Sequence, residues 1–344
     1  MIEGTLVLSP NTAADLPTTM RAVEYSGPGG SEVIRIAERP VPVPGPGEVL
    51  IRVAAAGLNR ADVAQRQGNY PPPEGASDVP GLEVSGTIAA CGPGVNGYDD
   101  DEPVCALLAG GGYAEYVAVA AVQVLPVPRG VGLVEAAALP EVASTVWSNL
   151  FMEAGLSAGE WALIHGGAGG IGTMATQLAT AYGARVVVTA GSDEKIEYCR
   201  GFGAVDGINY REEDFVERMR AISAGHGADV VLDIMGAKYL KQNLEVLAPD
   251  GRLVIIALQG GAKAEISLAR LMTRRLRVIG TTLRARSLEA KGRVVDGVRA
   301  GVWPAVEAGT VRPVVEKTFP LAEAAAAHDY FDSGEHRGKI LLTS

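Results

Sequence analysis

The chain has 344 residues, including 44 glycines and 20 prolines, and its 30 basic and 40 acidic side chains leave a formal net charge of −10. With 47% hydrophobic and 20% charged residues, the composition supports a buried core and excludes a chain that is disordered throughout. The length predicts two domains, or one large one. The acidic balance argues against a nucleic-acid or anionic-membrane partner, because phosphate groups bind to clustered Lys and Arg.

Cysteine usage and the N-terminus bear on the cellular compartment. The three cysteines, Cys91, Cys105 and Cys199, are scattered and odd in number, which argues against a disulfide framework and predicts a reducing, cytoplasmic location. Residues 1–19 contain no Lys or Arg and no apolar run of secretory-signal length, so we expect a flexible extension ahead of Met20. A start of translation at Met20 would leave the same pattern.

The first and last parts of the chain predict a β-rich domain. In residues 20–139, short Val- and Ile-rich segments alternate with Pro and Gly turns. The clearest of these segments are Glu48–Val53, Gly86–Ala90 and Ala114–Val119. After Ser287 the pattern predicts a helix, a Pro-punctuated stretch, an Ala-rich helix at Ala322–Ser333 and a last strand at Lys339–Leu342.

Between about Pro140 and Arg286, short apolar runs alternate with helical patterns, which predicts repeated βα units. The apolar runs are continuous, as in a parallel sheet buried on both faces. The predicted strands are Trp161–His165, Arg185–Ala190, Gly207–Asn209, Asp229–Ile234, Arg252–Leu258 and Arg277–Leu283. The predicted helices are Gly170–Tyr182, Asp193–Phe202, Glu212–Ala221, Ala237–Leu247 and Leu268–Arg274. The fold class is therefore α/β, with a doubly wound sheet of six parallel strands.

A glycine-rich turn lies at the first strand–helix junction. Ala162–Ala184 lacks Asp, Glu, Lys and Arg over 23 residues, but six glycines argue against a transmembrane helix. Gly167, Gly169 and Gly172 match the G-x-G-x-x-G pattern of dinucleotide sites. The first glycine allows a tight turn, the second lets a pyrophosphate approach the backbone, and the third lets the helix pack on the strand. The alternative is a glycine-rich turn that binds no ligand.

The end of the second strand predicts NADP(H) over NAD(H). An NAD site usually has Asp or Glu there, whereas this strand ends in the uncharged run Val188–Ser192. Lys195 follows one helical turn later, where an ammonium can meet a 2′-phosphate. Asp193 and Glu194 weaken this prediction, although acidic residues also suit the first turn of a helix. The alternative for Lys195 is an ordinary solvated helix residue.

Other chemistry has little support in the sequence. The motifs of zinc proteases, serine hydrolases and P-loop proteins are missing. His165 closes the first strand beside the glycines, where a packed histidine is favoured over a catalytic base. Cys91 and Cys105 have no neighbouring basic group that would activate a thiol, so both are interpreted as packing residues.

The order of these parts resembles the medium-chain dehydrogenases/reductases, from about Met20 to the end of the chain. The similarity is carried by a Pro-Gly-Pro-Gly-Glu-Val-Leu-Ile-Arg-Val opening, the run ending at Asp62, Gly-Asn-Tyr-Pro-Pro-Pro, Pro-Gly-Leu-Glu-Val-Ser-Gly and the glycine turn. It is specific for the zinc-free quinone oxidoreductase branch. Thr189–Lys195, Asn209–Tyr210 and Leu283–Arg286 resemble its tumour-suppressor-induced subgroup.

This resemblance implies a GroES-like catalytic domain at residues 20–139 and 286–344, a Rossmann NADP-binding domain at residues 140–285, and a cleft between them. Zinc-dependent relatives carry a Cys within the segment that is Ala56–Asn59 here, and Gly-His-Glu in place of Gly81–Glu83. Because these positions lack Cys and His, no catalytic zinc is expected.

The resemblance also implies site residues. Asn59 and Tyr70 are the predicted catalytic residues, and Asp62 is predicted either to support them or to cap a helix. The implied cofactor-binding residues are Gly167, Ala168, Gly169, Gly170, Ile171, Gly172, Gly191, Ser192, Lys195, Tyr210, Leu283, Arg284 and Arg286.

Three functions follow as hypotheses. The first is an NADPH-dependent, metal-free reductase of quinones or related α,β-unsaturated carbonyls, in which Tyr70 or Asn59 donates a hydrogen bond to the acceptor carbonyl. The second is an enoyl-thioester or alkenal reductase on the same scaffold, and the third is a non-catalytic NADPH-binding protein. Relatives commonly pair through the last strand of the nucleotide domain, here Arg277–Leu283, so we expect a homodimer.

Overall fold

The computed structural model describes residues 16–344. Most of the predicted N-terminal extension, residues 1–15, lies outside the described residues, and the first strand begins at Thr19. The described residues divide into two compact units. The first comprises residues 16–141, Arg284–Ala300 and Val315–Ser344, and the second Val142–Leu283 and Gly301–Val314.

The strands follow one another along the whole described chain. In chain order they are β1 Thr19–Tyr25, β2 Ile34–Pro40, β3 Glu48–Gly57, β4 Glu83–Cys91, β5 Pro103–Leu107, β6 Tyr116–Ala120, β7 Val124–Pro126, β8 Trp161–His165, β9 Arg185–Ala190, β10 Asp206–Asn209, β11 Ala228–Asp233, β12 Leu247–Ile255, β13 Arg277–Gly280, β14 Val315–Pro320 and β15 Lys339–Thr343.

Most of the α-helices lie after residue 139. In chain order they are α1 Arg60–Arg66, α2 Pro140–Val146, α3 Gly170–Ala181, α4 Asp193–Arg200, α5 Phe215–Ile222, α6 Leu240–Val246, α7 Leu268–Arg274, α8 Leu288–Gly301, α9 Trp303–Glu307 and α10 Ala324–Asp332. No helix within residues 16–344 combines the length and the apolar character needed to cross a bilayer.

The first unit is built on a mostly antiparallel sheet. Its strand order is β14-β15-β3-β4-β5-β7, with β6 also paired to β3, and β1 and β2 form a separate antiparallel pair. Alternate residues of these strands enter one apolar core, as Val49, Ile51 and Val53 of β3 do. The last strand, β15, lies beside β3 and opposes Leu341 to Gly57, which brings the C-terminal segment against the predicted site segment.

The second unit contains the predicted six-stranded parallel sheet, with the order β10-β9-β8-β11-β12-β13. Leu163 of β8 lies opposite Val187 of β9 on one side and Val231 of β11 on the other, and all three are fully buried. Continuous apolar runs are needed here because helices cover both faces of a doubly wound sheet. The doubly wound α/β fold predicted from the sequence is therefore confirmed.

Several element bounds differ from the sequence-based expectation, as in β12, which was predicted at Arg252–Leu258 and lies at Leu247–Ile255. Two further differences concern the ends of the second unit. Strand β13 ends at Gly280, three residues before the predicted Leu283, and Thr281 instead hydrogen bonds Asn149 through its hydroxyl at 2.5 Å. Residues 301–314 group with the second unit, although the resemblance places 286–344 in the first domain. The contacts explain this grouping, since the Gln177 side chain both accepts from the backbone N of Arg312 at 2.9 Å and donates to its carbonyl at 3.1 Å.

Candidate active site

The glycine turn lies between β8 and α3 in the second unit. Its left-handed residue is Gly166, with φ +73°, one position before the glycine for which the pattern predicted the tight turn. Gly167 is instead required by packing, because a Cβ there would lie 2.5 Å from Cβ of Val188. At Gly172 a Cβ would lie 2.5 Å from Cα of Gly167, so the close approach predicted for the third glycine is present.

Open space remains at the centre of this turn. Gly169 precedes the first residue of α3, and a Cβ built on it would meet only the carbonyl oxygen of Gly166, at 3.7 Å. The first intrahelical bond runs from Thr173 N to Gly169 O, so the backbone N–H groups of Gly170, Ile171 and Gly172 precede the helical hydrogen-bond ladder. A helix N-terminus of this kind suits a phosphate group.

His165 is the last residue of β8 and directly precedes the glycine turn. It is 2% exposed and contacts Thr189 Oγ1 at 3.1 Å and Asn243 Oδ1 at 2.8 Å. Burial lowers the pKa of the imidazole, with the Asn243 hydrogen bond acting in the opposite direction. A packed ring is what the sequence led us to expect at this position, and the burial of His165 agrees with it.

A second group of predicted residues lies at the end of β9. Ser192 caps α4 by accepting the backbone N–H of Lys195 at 3.3 Å, and the backbone N of Tyr210 donates to Ala190 O at 3.2 Å. A Cβ on Gly191 would lie 2.8 Å from the Tyr210 hydroxyl, so glycine leaves the space beside that ring open. Lys195 is half-buried on the first turn of α4.

The sequence-based prediction missed Arg211 in this region. Its Nε would lie 3.3 Å from a Cβ on Gly191, and its guanidinium has no hydrogen bond or ion pair within the described chain. The only available signal was the position of Arg211 directly after Tyr210. Together with Gly191 and Ser192, these side chains fit the adenosine end of NADPH, whose 2′-phosphate needs cations and small residues.

In the first unit, Asp62 closes the N-terminus of α1. One carboxylate oxygen accepts the backbone N–H of Asn59 at 2.8 Å, as in a capping box, and also the Tyr113 hydroxyl at 3.0 Å. The other accepts the backbone N–H of Gly81 at 3.1 Å. Asp62 is 1% exposed, and burial raises its pKa to about 6 in spite of these hydrogen bonds. The helix-capping geometry, one of the two sequence-based alternatives for Asp62, is therefore present.

Asn59 is committed to a buried ion pair. Its Nδ2 donates to Glu83 Oε1 at 3.0 Å and to Gly57 O at 3.3 Å, and its Oδ1 accepts from Lys339 Nζ at 2.5 Å. Lys339 and Glu83 themselves form a salt bridge of 2.6 Å with side chains 5% and 0% exposed. Both amide hydrogens of Asn59 are therefore used within this unit. The sequence analysis did not predict the Lys339–Glu83 pair. The available signal was a lysine, Lys339, at the start of an otherwise apolar strand.

Tyr70 lies on a loop that Arg284 holds. The guanidinium of Arg284 donates to Ala109 O at 2.7 Å, to Tyr70 O at 3.3 Å and to Gln65 Oε1 at 2.7 Å. It also lies 5.4 Å from the centre of the Tyr70 ring. The Tyr70 hydroxyl makes no hydrogen bond with any described residue, and burial raises its pKa while the Arg284 charge opposes the rise.

The predicted site residues thus form three local groups: the glycine turn, the end of β9, and the segment around α1. Arg284 joins Tyr70, and its pKa is lowered by burial against the opposing charge of Asp62. Leu283 and Arg286 are half-buried neighbours of Arg284 in the chain.

The described residues do not provide a zinc site. Within residues 16–344 no three His, Cys, Asp or Glu side chains come together in a way that could hold a metal ion. The two segments that carry ligands in zinc-dependent relatives hold Asn59 and Glu83, and both side chains are bound to Lys339. A zinc ion needs neutral or anionic ligand atoms, whereas the Lys339 ammonium at this place is positively charged.

Comparison with known proteins defines the class of this chain. Residues 45–129 match the family model for the alcohol dehydrogenase GroES-like domain, and residues 170–296 match that for zinc-binding dehydrogenases. With the parallel sheet and glycine turn described above, these matches define a medium-chain dehydrogenase/reductase, with a GroES-like domain and a Rossmann-like domain.

Similar proteins place the chain more narrowly. It is 32% identical over 326 residues to the quinone oxidoreductase of Rattus norvegicus, covering 94% of this chain and 97% of that protein. A 2-haloacrylate reductase from Burkholderia is 32% identical, covering 91% and 96%. The structure of Escherichia coli quinone oxidoreductase complexed with NADPH is 28% identical, with a TM-score of 0.84 over 94% of this chain and 100% of that one. The chain belongs to the quinone oxidoreductase family of medium-chain dehydrogenases/reductases.

Proposed function

We propose that this protein is an NADPH-dependent, metal-independent reductase of quinones and related α,β-unsaturated carbonyl compounds. The observation that carries the proposal is the glycine turn, where open space at Gly169 adjoins the N–H groups that begin α3. This arrangement suits the pyrophosphate of a dinucleotide. The names of the family relatives, one of them solved with NADPH, support the choice of dinucleotide and acceptor.

NADPH preference over NADH is supported by the end of β9. No carboxylate follows Ala190 directly, while Lys195 and Arg211 supply positive charge and Gly191 leaves space beside Tyr210. A carboxylate at this place would bond both ribose hydroxyls of NADH and repel a 2′-phosphate. Cations at this place would instead attract the 2′-phosphate of NADPH.

When bound, the nicotinamide supplies the hydride that reduces the acceptor. The role of this chain is to orient the acceptor and to stabilise the negative charge that develops on its carbonyl oxygen. Tyr70 is the better donor for that oxygen, because its hydroxyl is uncommitted within the described residues while both amide hydrogens of Asn59 are used. Asn59 and Asp62 are then positioning residues for the segment around α1.

Steady-state assays test this function. We expect NADPH oxidation with 1,4-benzoquinone, and a KM for NADH at least tenfold above that for NADPH. In Tyr70→Phe we expect kcat to fall about 100-fold, the size of one lost oxyanion donor. Tyr98→Phe is the matched control, since that hydroxyl only approaches Ala121 O at 3.4 Å. Full activity of Tyr70→Phe, or equal KM values for the two cofactors, would contradict the proposal.

A second candidate is the reduction of a conjugated C=C bond in an alkenal or enoyl thioester. The similarity to a 2-haloacrylate reductase favours it, because such a substrate carries a C=C bond next to a carboxyl group. Crotonyl-CoA and 2-hexenal, assayed beside benzoquinone, separate the two candidates. NADPH binding without turnover of any of the three acceptors would instead support a non-catalytic binding protein.

We further propose that the protein is a cytoplasmic homodimer. Three free cysteines support a reducing compartment. Strand β13 lies at an exposed edge of the parallel sheet, which supports self-association through the second unit.

A further inference from the structure

Two cations in the first unit are buried without an anionic partner. Arg284 and Lys291 are each 5% exposed. Arg284 is bound only to neutral oxygen atoms, those of two backbone carbonyls and the Gln65 amide. A guanidinium has five N–H donors, so two remain after these three hydrogen bonds.

The ammonium of Lys291 is in an unusual environment. The residue lies in the first turn of α8, where its backbone N donates to Ser287 O at 2.9 Å. Its side chain makes no hydrogen bond or ion pair with any residue of the described chain. Burial lowers its pKa, and the like charge of Arg284 lowers it further. A charge on a largely buried side chain without an anionic partner is unfavourable, and a second cation nearby increases that cost.

The other buried cations of this unit show how unusual the arrangement is. Lys339 pairs with Glu83 at 2.6 Å, and Arg66 pairs with Asp332 at 2.6 Å. Both of these buried cations therefore have an anionic partner within the unit, which Arg284 and Lys291 lack. Groups that are kept unpaired and with shifted pKa values often mark binding sites.

We propose that Arg284 and Lys291 form an anion subsite that binds the carboxylate, or a comparable anionic group, of the acceptor. Arg284 lies beside Tyr70, since it contacts both the carbonyl and the ring of that residue. Lys291 follows seven residues later, close enough for the charge of Arg284 to act on its ammonium. This inference rests on the proposed function, and it defines the favoured substrate class: conjugated acceptors that carry an anionic group near the reducible bond. A phosphate of the cofactor shares the same chemistry and is the alternative occupant.

The test compares acceptors that differ by one anionic group, 1,2-naphthoquinone and 1,2-naphthoquinone-4-sulfonate. The variants are Lys291→Met, Lys291→Arg and the control Arg293→Met, which removes an exposed charge paired with Glu289 on the same helix. We expect Lys291→Met to lose at least tenfold in kcat/KM for the sulfonate and less than twofold for the neutral quinone. Lys291→Arg should recover most of the loss, and Arg293→Met should match the wild type.

Thermal unfolding separates binding from a structural role. Because Lys291→Met removes a charge without an anionic partner from a largely buried side chain, its Tm should be equal to or higher than that of the wild type. A lower Tm with an equal loss for both quinones would overturn the proposal. So would a rise in KM for NADPH with unchanged acceptor selectivity, which would assign the two cations to the cofactor.

Direct binding keeps the inference distinct from the proposed function. Titration calorimetry with benzoate and its neutral counterpart benzamide needs no turnover. We expect benzoate to bind the wild type at least tenfold more tightly than it binds Lys291→Met, and benzamide to bind both equally. Absence of quinone reduction together with this benzoate result would overturn only the proposed function. Equal benzoate binding by the two proteins would overturn the anion subsite.

Discussion

At the scale of single residues, two charged side chains in the first unit fix the backbone around the predicted site residues. Asp62 is enclosed by the donors Asn59 N, Gly81 N and the Tyr113 hydroxyl, which fix the start of α1. Arg284 likewise fixes the loop of Tyr70. Of the predicted catalytic residues, Tyr70 therefore keeps an uncommitted hydroxyl, while Asn59 and Asp62 are engaged at the start of α1.

The titration of Asp62 predicts a pH-dependent stability. Its folded pKa of about 6 lies above the usual value near 4, so the folded state holds the proton more tightly than the unfolded chain. Linkage then lowers the free energy of unfolding as the pH rises from about 4 to about 6, by roughly 2–3 kcal/mol, and adds no further change above that range.

Urea denaturation at pH 4 and pH 7 measures this effect. In Asp62→Asn the titrating group is gone, so we expect the wild type to lose roughly 2–3 kcal/mol relative to this variant between the two pH values. The exposed Asp100→Asn serves as control and should follow the wild type. Parallel pH profiles for wild type and Asp62→Asn would show that the carboxyl is not perturbed.

At the scale of elements, the glycine turn combines packing and binding at different positions. Gly167 and Gly172 are needed because β9 and the turn itself approach their α-carbons closely. Gly169 has φ −79° and ψ 176°, an extended conformation open to any residue, and open space around it. Stability and cofactor affinity should therefore depend on different glycines of the same motif.

Two alanine substitutions test this separation. Gly172→Ala forces α3 away from the turn and should cost about 1–3 kcal/mol of stability, as overpacking commonly does. Gly169→Ala should unfold like the wild type but bind NADPH at least tenfold more weakly, because its methyl group occupies the space that a pyrophosphate needs. Urea denaturation and fluorescence titration with NADPH measure the two effects. Unchanged NADPH affinity in Gly169→Ala would exclude this place as the phosphate site.

At the scale of the whole molecule, the second unit ends in an exposed edge strand. Strand β13 pairs with β12 on one side and has no further partner within the described residues. Val278 on this strand is 39% exposed, and Leu268 and Met272 on α7 are 65% and 78% exposed. Unpaired N–H and C=O groups together with apolar side chains favour association with another strand.

Light scattering tests the homodimer. We expect a mass of twice the 35.6 kDa chain for the wild type and a monomer for Val278→Lys, because a buried lysine at the paired edge would have no partner. Val205→Lys changes a similarly exposed valine outside the strands and should remain dimeric. A wild-type mass of one chain would refute the dimer.

Short-range patterns in the sequence were enough to predict the second unit. Strands β8 and β9 and helix α7 have the predicted bounds, because apolar periodicity and glycine position are properties of neighbouring residues. The positive φ of this turn is at Gly166, one residue before the glycine to which the pattern assigned the tight turn, and the two neighbouring glycines have the same sequence signal. An added Cβ would meet Ile234 at Gly166 and Val188 at Gly167, and both of these residues are distant in the chain.

By itself, the sequence determined the α/β class, the strand–turn–helix with its glycines, and the resemblance that identified Asn59, Tyr70 and Arg284. Only the tertiary structure decided what these side chains have left to offer a ligand. Asn59 is occupied by Lys339, which is 280 positions away in the chain, whereas the Tyr70 hydroxyl remains available. The physical reason is that hydrogen-bond capacity is limited for each group, so its use depends on every partner that folding brings within about 3 Å.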